Sequence, residues 1–304
     1  MFKRVEYNKL TLRRYLLSTF NVYLCIQLLL NMVTANEPIF TKKEEVTFSN
    51  LSTLSLSQQK TIKQWINSGI NASQTTLGLP FQEGYHFDLK PRYFASEPVP
   101  WARVIRGDID SIELHFFRYA SFAQLKKDWT LYHELSHLYH PLFEYSDFWL
   151  AEGLATYLQQ LIMFQNRVIT REEFYQRISA GLSRGKRNTQ EKTGKLNSVS
   201  ENMWQIDAFQ RVYWTGVAYF IEVENALKKQ NKPNLISLIK RYQVCCRQSH
   251  KNTETGINFV KDLDRLSRSA IFSSHYFRYR NRTDFPAISS AQIRQLIQPK
   301  TLEK

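Results

Sequence analysis

The sequence is poor in the residues that build unusual scaffolds. Its 304 residues include only three cysteines, which excludes a disulfide framework. Ten glycines and nine prolines are too few for a collagen-like or low-complexity chain. Acids are in deficit, with 27 Asp and Glu against 41 Lys and Arg, a formal net charge of +14. Apolar runs long enough to cross a bilayer are scarce too, and one stretch alone, near the N-terminus, approaches that length. Aromatic residues, by contrast, are plentiful at 14%, within a hydrophobic share of 43%. A chain so composed can bury enough apolar surface to fold, which excludes intrinsic disorder. Its length suits one or two domains. The charge raises nucleic acid or an anionic membrane as partners.

Part of that charge sits at the start. Lys3, Arg4, Lys9, Arg13 and Arg14 face one acid, Glu6, and an apolar stretch runs from Leu16 to Val33. The small residue Ala35 follows. This order describes a secretory signal peptide over residues 1–35, cleaved after Ala35. The rival reading is an uncleaved anchor, which Asn21, Gln27 and Asn31 weaken by interrupting the stretch. Either way the rest of the chain is expected outside the cytoplasm, periplasmic or secreted, and anchored if the segment stays. Removing it leaves a net charge of +10.

Residues 36–56 lack pattern and are expected to form a linker or arm. Ser57 is expected to cap a helix running to about Ala72, because Ile62, Trp65, Ile66 and Ile70 recur at helical spacing. Short strands are expected at Tyr85–Leu89, Ala102–Arg106 and Ile109–Tyr119. Helices are expected over Phe122–His140, Asp147–Arg167, Thr170–Leu182, Asn202–Gln230 and Leu235–Arg247, with Thr170 and Glu173 as a capping box. Residues 183–200 read as a basic loop. A small sheet followed by helices means an α+β fold. The folded domain is expected over residues 57–290, with a tail at 291–304.

The chemistry centres on His133-Glu134-Leu135-Ser136-His137. Residues four apart on a helix share one face, so His133 and His137 can both aim a ring nitrogen at one metal ion. Catalytic zinc takes three protein ligands and keeps a position open for water. Glu134 then lies beside the metal, placed to take a proton from water whose pKa the metal lowers to about 7. Pro141 ends this helix. Fourteen residues separate His137 from Glu152, and a helical hairpin of that length could bring Glu152 opposite the histidines. Trp149, Leu150, Leu154 and Leu158 make its segment apolar, and a buried carboxylate wants a metal or a partner.

The block Trp149-Leu150-Ala151-Glu152-Gly153-Leu154-Ala155-Thr156-Tyr157 resembles the second-helix motif of gluzincin metallopeptidases, of the glycyl-aminopeptidase and aminopeptidase-N kinds. The resemblance implies that Glu152 is the third zinc ligand beside His133 and His137, that Glu134 is the general base, and that one zinc binds per chain. Tyr213-Trp214-Thr215-Gly216 resembles the helix start from which those families stabilise the oxyanion, a role that falls on Tyr213. The implied fold is a thermolysin-like α+β catalytic domain, a small N-terminal β-sheet lobe followed by a mainly helical lobe. The implied activity is hydrolysis of peptide bonds in a peptide or protein substrate. Three departures stand out. The spacing from His137 to Glu152 is shorter than in the large aminopeptidases, their N-terminal β-domain has no room here, and the G-x-M-E-N element that holds a free amine is missing before His133.

Several further residues carry expectations. The resemblance implies that strand Ile109–Tyr119 offers an open edge to an extended substrate, and read by itself it is an ordinary sheet strand. His115 reads as a strand surface residue, His140 as a cap on the helix end, and Thr156 as a hydrogen-bonding support for a ligand histidine. Cys245 and Cys246 read as a thiol pair. Basic clusters at Arg184–Lys195, Lys228–Lys232, Lys240–Arg247 and Arg278–Arg282 come without any nucleic-acid-binding signature, so nucleic acid is not an expected partner. They suit contact with an anionic membrane or cell-wall surface. Two readings compete with the enzyme: an inactive relative that docks an anionic envelope partner, and an anchored binding protein in which the HExxH pattern is accidental.

Overall fold

A computed structural model describes residues 45–247 and 253–297. The signal segment, residues 36–44 of the expected arm and the end of the expected tail lie outside the described residues.

The described chain opens with strand β1 (Val46–Ser49), a 3-10 turn at Leu51–Thr53, and helix α1 (Leu56–Leu77). The strand belongs to a stretch expected to be an arm. Only Val46 and Phe48 pack inward, Phe48 on Phe87 at 6.0 Å, and two apolar positions are too few to show a period. The cap of α1 is Ser55 rather than Ser57, because Gln58 completes a capping box with Ser55. Strands β2 (Tyr85–Arg92), β3 (Trp101–Ile105) and β4 (Ser111–Phe117) complete a four-stranded sheet in the order β1-β2-β4-β3. β1 and β4 both run parallel to β2, and β3 lies antiparallel to β4. β4 is therefore interior, and the open edge expected of it belongs to β3. Its inner face carries Ile112, Leu114 and Phe116 into the core, and its outer face carries Glu113, His115 and Phe117.

Helices follow. α2 (Phe122–Lys127) and α3 (Thr130–His137) replace the single helix expected over Phe122–His140. The break falls at Asp128, whose Oδ1 accepts from the Thr130 amide at 2.8 Å. α4 (Phe148–Gln165) is the second motif helix. α5 (Arg171–Glu191) starts at the expected capping box and runs nine residues past Leu182. The segment expected to be a loop is thus mostly helix, held where Arg211 donates to the carbonyls of Lys192 and Gly194. Short helices α6 (Leu196–Glu201) and α7 (Met203–Ile206) lead to α8 (Phe209–Lys229), with Asp207 in the left-handed region at φ 53° breaking the expected single helix. α9 (Leu235–Cys245), α10 (Gly256–Ser267) and α11 (Ile271–Arg280) follow, and α12 (Ser290–Gln295) packs on α5 and α8 through buried Ile293. The start of the expected tail is therefore part of the folded body. Cys245 and Cys246, expected as thiols, are joined to each other in a disulfide. Among the described residues no helix is long and apolar enough to cross a membrane.

The core is continuous from the sheet through the helices. Its tightest point is the crossing of α4 and α8. Gly153 and Gly216 face each other there, and a Cβ on Gly216 would run into the Trp149 carbonyl and stand 2.7 Å from the Gly153 Cα. Two side-chain-free positions let the helix backbones approach until they touch.

Gly216→Ala therefore sets two effects against each other. Helix propensity favours alanine by about 1 kcal/mol, while overpacking costs about 1–3 kcal/mol or more. The second effect is expected to win. Urea denaturation should show a lower midpoint for Gly216→Ala and for Gly153→Ala, and an unchanged or raised midpoint would contradict this packing account.

Candidate metal centre

Helix α3 is buried along its whole length. His133 and His137 lie one turn apart on it, their rings 4.8 Å apart at centroid. Opposite stands Glu152, in the second turn of α4. That turn is fixed at several points. Ser200 Oγ accepts from the Trp149 amide at 3.0 Å and donates to the Tyr145 carbonyl at 2.9 Å. The buried Asp147 accepts from the Gly256 amide at 2.8 Å and from the Tyr276 hydroxyl. Trp149 packs among Tyr219, Tyr276 and Tyr279.

The ligand-type atoms of His133, His137 and Glu152 all lie within 4.8 Å of one another. The His133 Nε2 is 3.1 Å from the His137 Nε2 and 3.2 Å from Glu152 Oε2, and the His137 Nε2 is 3.6 Å from the same oxygen. The remaining ring nitrogens are occupied. His133 Nδ1 donates to Gln159 Oε1 at 2.9 Å. His140 Nδ1 donates to the Pro141 carbonyl at 2.7 Å, which leaves its Nε2 to accept from His137 Nδ1 at 2.9 Å. Each ligand histidine thus carries a proton on Nδ1 and turns its Nε2 to the centre, free to take a cation or a second proton. Two lone pairs and a carboxylate oxygen converge there, and only a cation or a proton can hold them together.

A four-coordinate zinc fits this donor set. With ligands at about 2.0–2.1 Å in a tetrahedron, neighbouring donor atoms stand about 3.3 Å apart, against the 3.1, 3.2 and 3.6 Å found. The electrostatics agree. Burial opposes a charge on His133, but hydrogen bonding and charge from Glu152 outweigh it and raise its pKa. Burial would likewise raise Glu152, yet the charge of His137 and the hydrogen bond from His133 hold it well below the usual carboxylate range. The site attracts positive charge.

Glu134 is buried beside the ligands, and burial raises its carboxyl pKa against the pull of His133 and His137. Tyr213 stacks on the His133 ring at 6.0 Å with an interplanar angle of 10°. Burial, then the charges of Glu152 and Glu134, hold its phenol well above the ordinary value, so it remains a donor. Trp129 meets His133 edge-on at 5.7 Å. Arg106 closes the C-terminal end of α3 by donating to the His137 carbonyl at 3.0 Å, where the helix dipole favours a cation.

All five residues singled out in the sequence thus meet here. The supporting residues differ. Thr156 Oγ1 has no hydrogen-bond partner among the described residues, and Gln159 takes the expected role. Gln159 lies seven residues after Glu152, two turns along the same face, and its signal was a buried polar residue in an apolar run. His140 is no cap, since α3 ends at His137 and His140 is itself buried against it. His115 stays on the outer sheet face with Glu113 and Arg92, away from this donor set.

Burial, then the charges of His137 and Arg106, keep His140 well below its ordinary pKa of 6.5. In the unfolded chain it takes up a proton as the pH drops through about 6.5, and in the folded chain it does not. The unfolded state then binds more protons, so stability falls as the pH falls. In metal-free protein, His140→Gln should flatten the decline between about pH 6.5 and 5 in chemical denaturation. An equal or steeper decline would contradict the buried neutral imidazole.

Residues 135–220 match the family model described as M61 glycyl aminopeptidase, a span that contains His137, Glu152 and Tyr213. The fold resembles an aminopeptidase N family protein from Idiomarina loihiensis, with 12% identity and a TM-score of 0.50 over 82% of this chain and 45% of that one. An M1 zinc metallopeptidase mutant from Deinococcus radiodurans, solved with a Tyr-Ser-Ala substrate, aligns with 12% identity and a TM-score of 0.48 over 72% of this chain and 44% of that one. The chain spans less than half the length of these structures. No curated protein sequence matches it. The resemblance to the gluzincin metallopeptidases thus holds on two counts, the M61 family match over residues 135–220, which begins after His133 and Glu134, and the fold shared with an aminopeptidase N family protein.

Proposed function

We propose that the protein is an exported zinc metallopeptidase that binds one zinc per chain through His133, His137 and Glu152. The observation that carries this reading is the convergence of three metal-type donor atoms with a buried carboxylate and a phenol beside them. A zinc ion held there supplies Lewis acidity toward a peptide carbonyl and acidifies water.

The chain's own residues supply the rest. Glu134 is the general base, and a carboxyl raised by burial accepts a proton from water and returns it to the leaving amine. Tyr213 keeps its proton and donates it as a hydrogen bond to the oxygen on which negative charge develops. Gln159 and His140 hold the two imidazoles in one tautomer and one orientation. Trp129 and Tyr213 flank His133 with apolar surface and limit water around it. The edge strand β3 is antiparallel to its neighbour and packs by α3, so an extended peptide can pair with its free side. The missing G-x-M-E-N element favours substrates bound along the main chain over those held by a free amine. Export rests on the basic and apolar N-terminal segment.

The reading is tested on purified protein by metal analysis and by cleavage of a peptide library. One zinc per chain is expected, with cleavage abolished by a chelator. Glu134→Gln should lower kcat by about 10²–10⁴ while the zinc stays bound. Tyr213→Phe should lower kcat by about 10²–10³. Full activity in Glu134→Gln, or protein that binds no zinc, would contradict the proposal.

A further inference from the structure

β2 and β4 are adjacent and parallel, so both strands end on the same side of the sheet. Their last paired residues are Arg92 and Phe117, and the chain turns away directly after each, at Tyr93-Phe94 and at Arg118-Tyr119. Helix α1 begins at this end too, since Gln58 in its first turn donates from Nε2 to the Arg118 carbonyl at 3.1 Å. Three segments far apart in sequence therefore meet here.

What they carry is uneven. Phe94 is 94% exposed and Leu56, the first residue of α1, 84% exposed, and Tyr93 and Tyr119 are exposed as well. A single exposed apolar residue is ordinary, but four at one end of a sheet make a patch. The Arg118 guanidinium lies 4.4 Å from the Tyr93 ring and 5.5 Å from that of Tyr119, which ties the two turns together. Lys60 and Lys63 follow Leu56 at helical spacing and continue it as an exposed stripe along α1, while Trp65 and Ile66 are buried on the other side. Residues 50–67, 89–96 and 116–127 together hold seven lysines and arginines and no Asp or Glu. Two of the seven are neutralised by acids outside those segments, Lys90 by Asp88 at 2.8 Å and Lys127 by Glu173 at 3.3 Å. One exposed acid, Glu97, borders the segments. None of the four basic clusters of the sequence falls in them.

We propose that this end of the molecule docks on an anionic lipid surface, with Leu56, Tyr93, Phe94 and Tyr119 entering the headgroup layer and Lys60, Lys63 and Arg118 facing lipid phosphates. The surplus of positive charge selects an anionic partner. The placement of the apolar groups selects a fluid layer over a protein. They stand at two turns and at the first residue of a helix, and a ring 94% exposed has no wall beside it to form part of a pocket. A protein interface needs about 800 Å² of continuous complementary surface on each partner. In a headgroup layer each apolar tip enters by itself, tyrosine sits with its ring inside and its hydroxyl in water, and the long lysine stems keep their charges at the level of the phosphates. This face is independent of the metal centre and of the activity proposed there.

Depth measurement with a spin label on the full chain tests it. The apolar N-terminal segment can itself enter lipid, so the readout is local. A nitroxide is placed at Phe94→Cys, or at Leu79→Cys as a control just past the far end of α1, a helix about 33 Å long, each in a Cys25→Ser background. The vesicles are phosphatidylcholine alone or an equimolar mixture with phosphatidylglycerol. On the mixed vesicles the label at 94 should become shielded from a water-soluble nickel chelate while the label at 79 stays in water. High salt, or phosphatidylcholine alone, should raise the lipid concentration needed for shielding about tenfold or more. Lys60→Gln combined with Lys63→Gln should raise it about tenfold with the melting temperature unchanged. A label at 94 that stays in water on mixed vesicles, or both labels shielded alike, would overturn the proposal. So would shielding indifferent to salt and to the two lysines, and shielding at 94 before lipid is added, which would mean that a second copy covers this face.

Discussion

The contact between Gly153 and Gly216 is the constraint on which the site depends. It lets α4 and α8 meet backbone to backbone. Glu152 precedes one of these glycines and Tyr213 lies one turn before the other. The same contact therefore sets the separation of a carboxylate and a phenol contributed by two helices far apart in sequence. A larger residue at either position would spread the helices and carry Tyr213 away from the histidines. The two motifs look separate in the sequence, and in three dimensions they are halves of one junction.

Electrostatics completes what packing begins. Two imidazoles and two carboxylates share a buried space, an arrangement that costs free energy unless a cation or protons occupy it. Hydrogen bonds to Gln159 and through His140 to Pro141 settle a proton on the outer nitrogen of His133 and of His137, and leave the inner nitrogens free to take a cation or a second proton. The donors are ordered by partners that never touch the centre. Arg106, at the end of α3, adds positive charge from behind the same helix.

Much of this was legible in the sequence, and for physical reasons. The i, i+4 histidines on a helix, the carboxylate in an apolar helix and the tyrosine helix start are local patterns, and local patterns survive without coordinates. The α+β division was legible from the change in periodicity after Ser121. Strand order was not, because whether β4 is interior or at an edge depends on pairings that no single strand records. β1 escaped notice because four residues carry no measurable period. Arg184–Glu191 looked like a loop because its charges hid a helical continuation whose buried face is made by Gly185 and Thr189. His140 and Gln159 were hard to assign because their partners are set by the hairpin between α3 and α4.

The positive charge at first pointed toward polyanions, and it divides in the structure. Part stabilises helix ends and loops, as Arg106 and Arg211 do. Another part has uncharged partners, as where Arg92 donates to His115 and Arg118 lies over the Tyr93 ring. The central claim concerns the metal, and X-ray absorption at the zinc edge of the zinc-loaded protein tests it most directly. The account predicts a first shell of two imidazole nitrogens and light oxygen donors at about 2.0–2.2 Å. Sulfur scattering at about 2.3 Å, or a shell without imidazole, would contradict it.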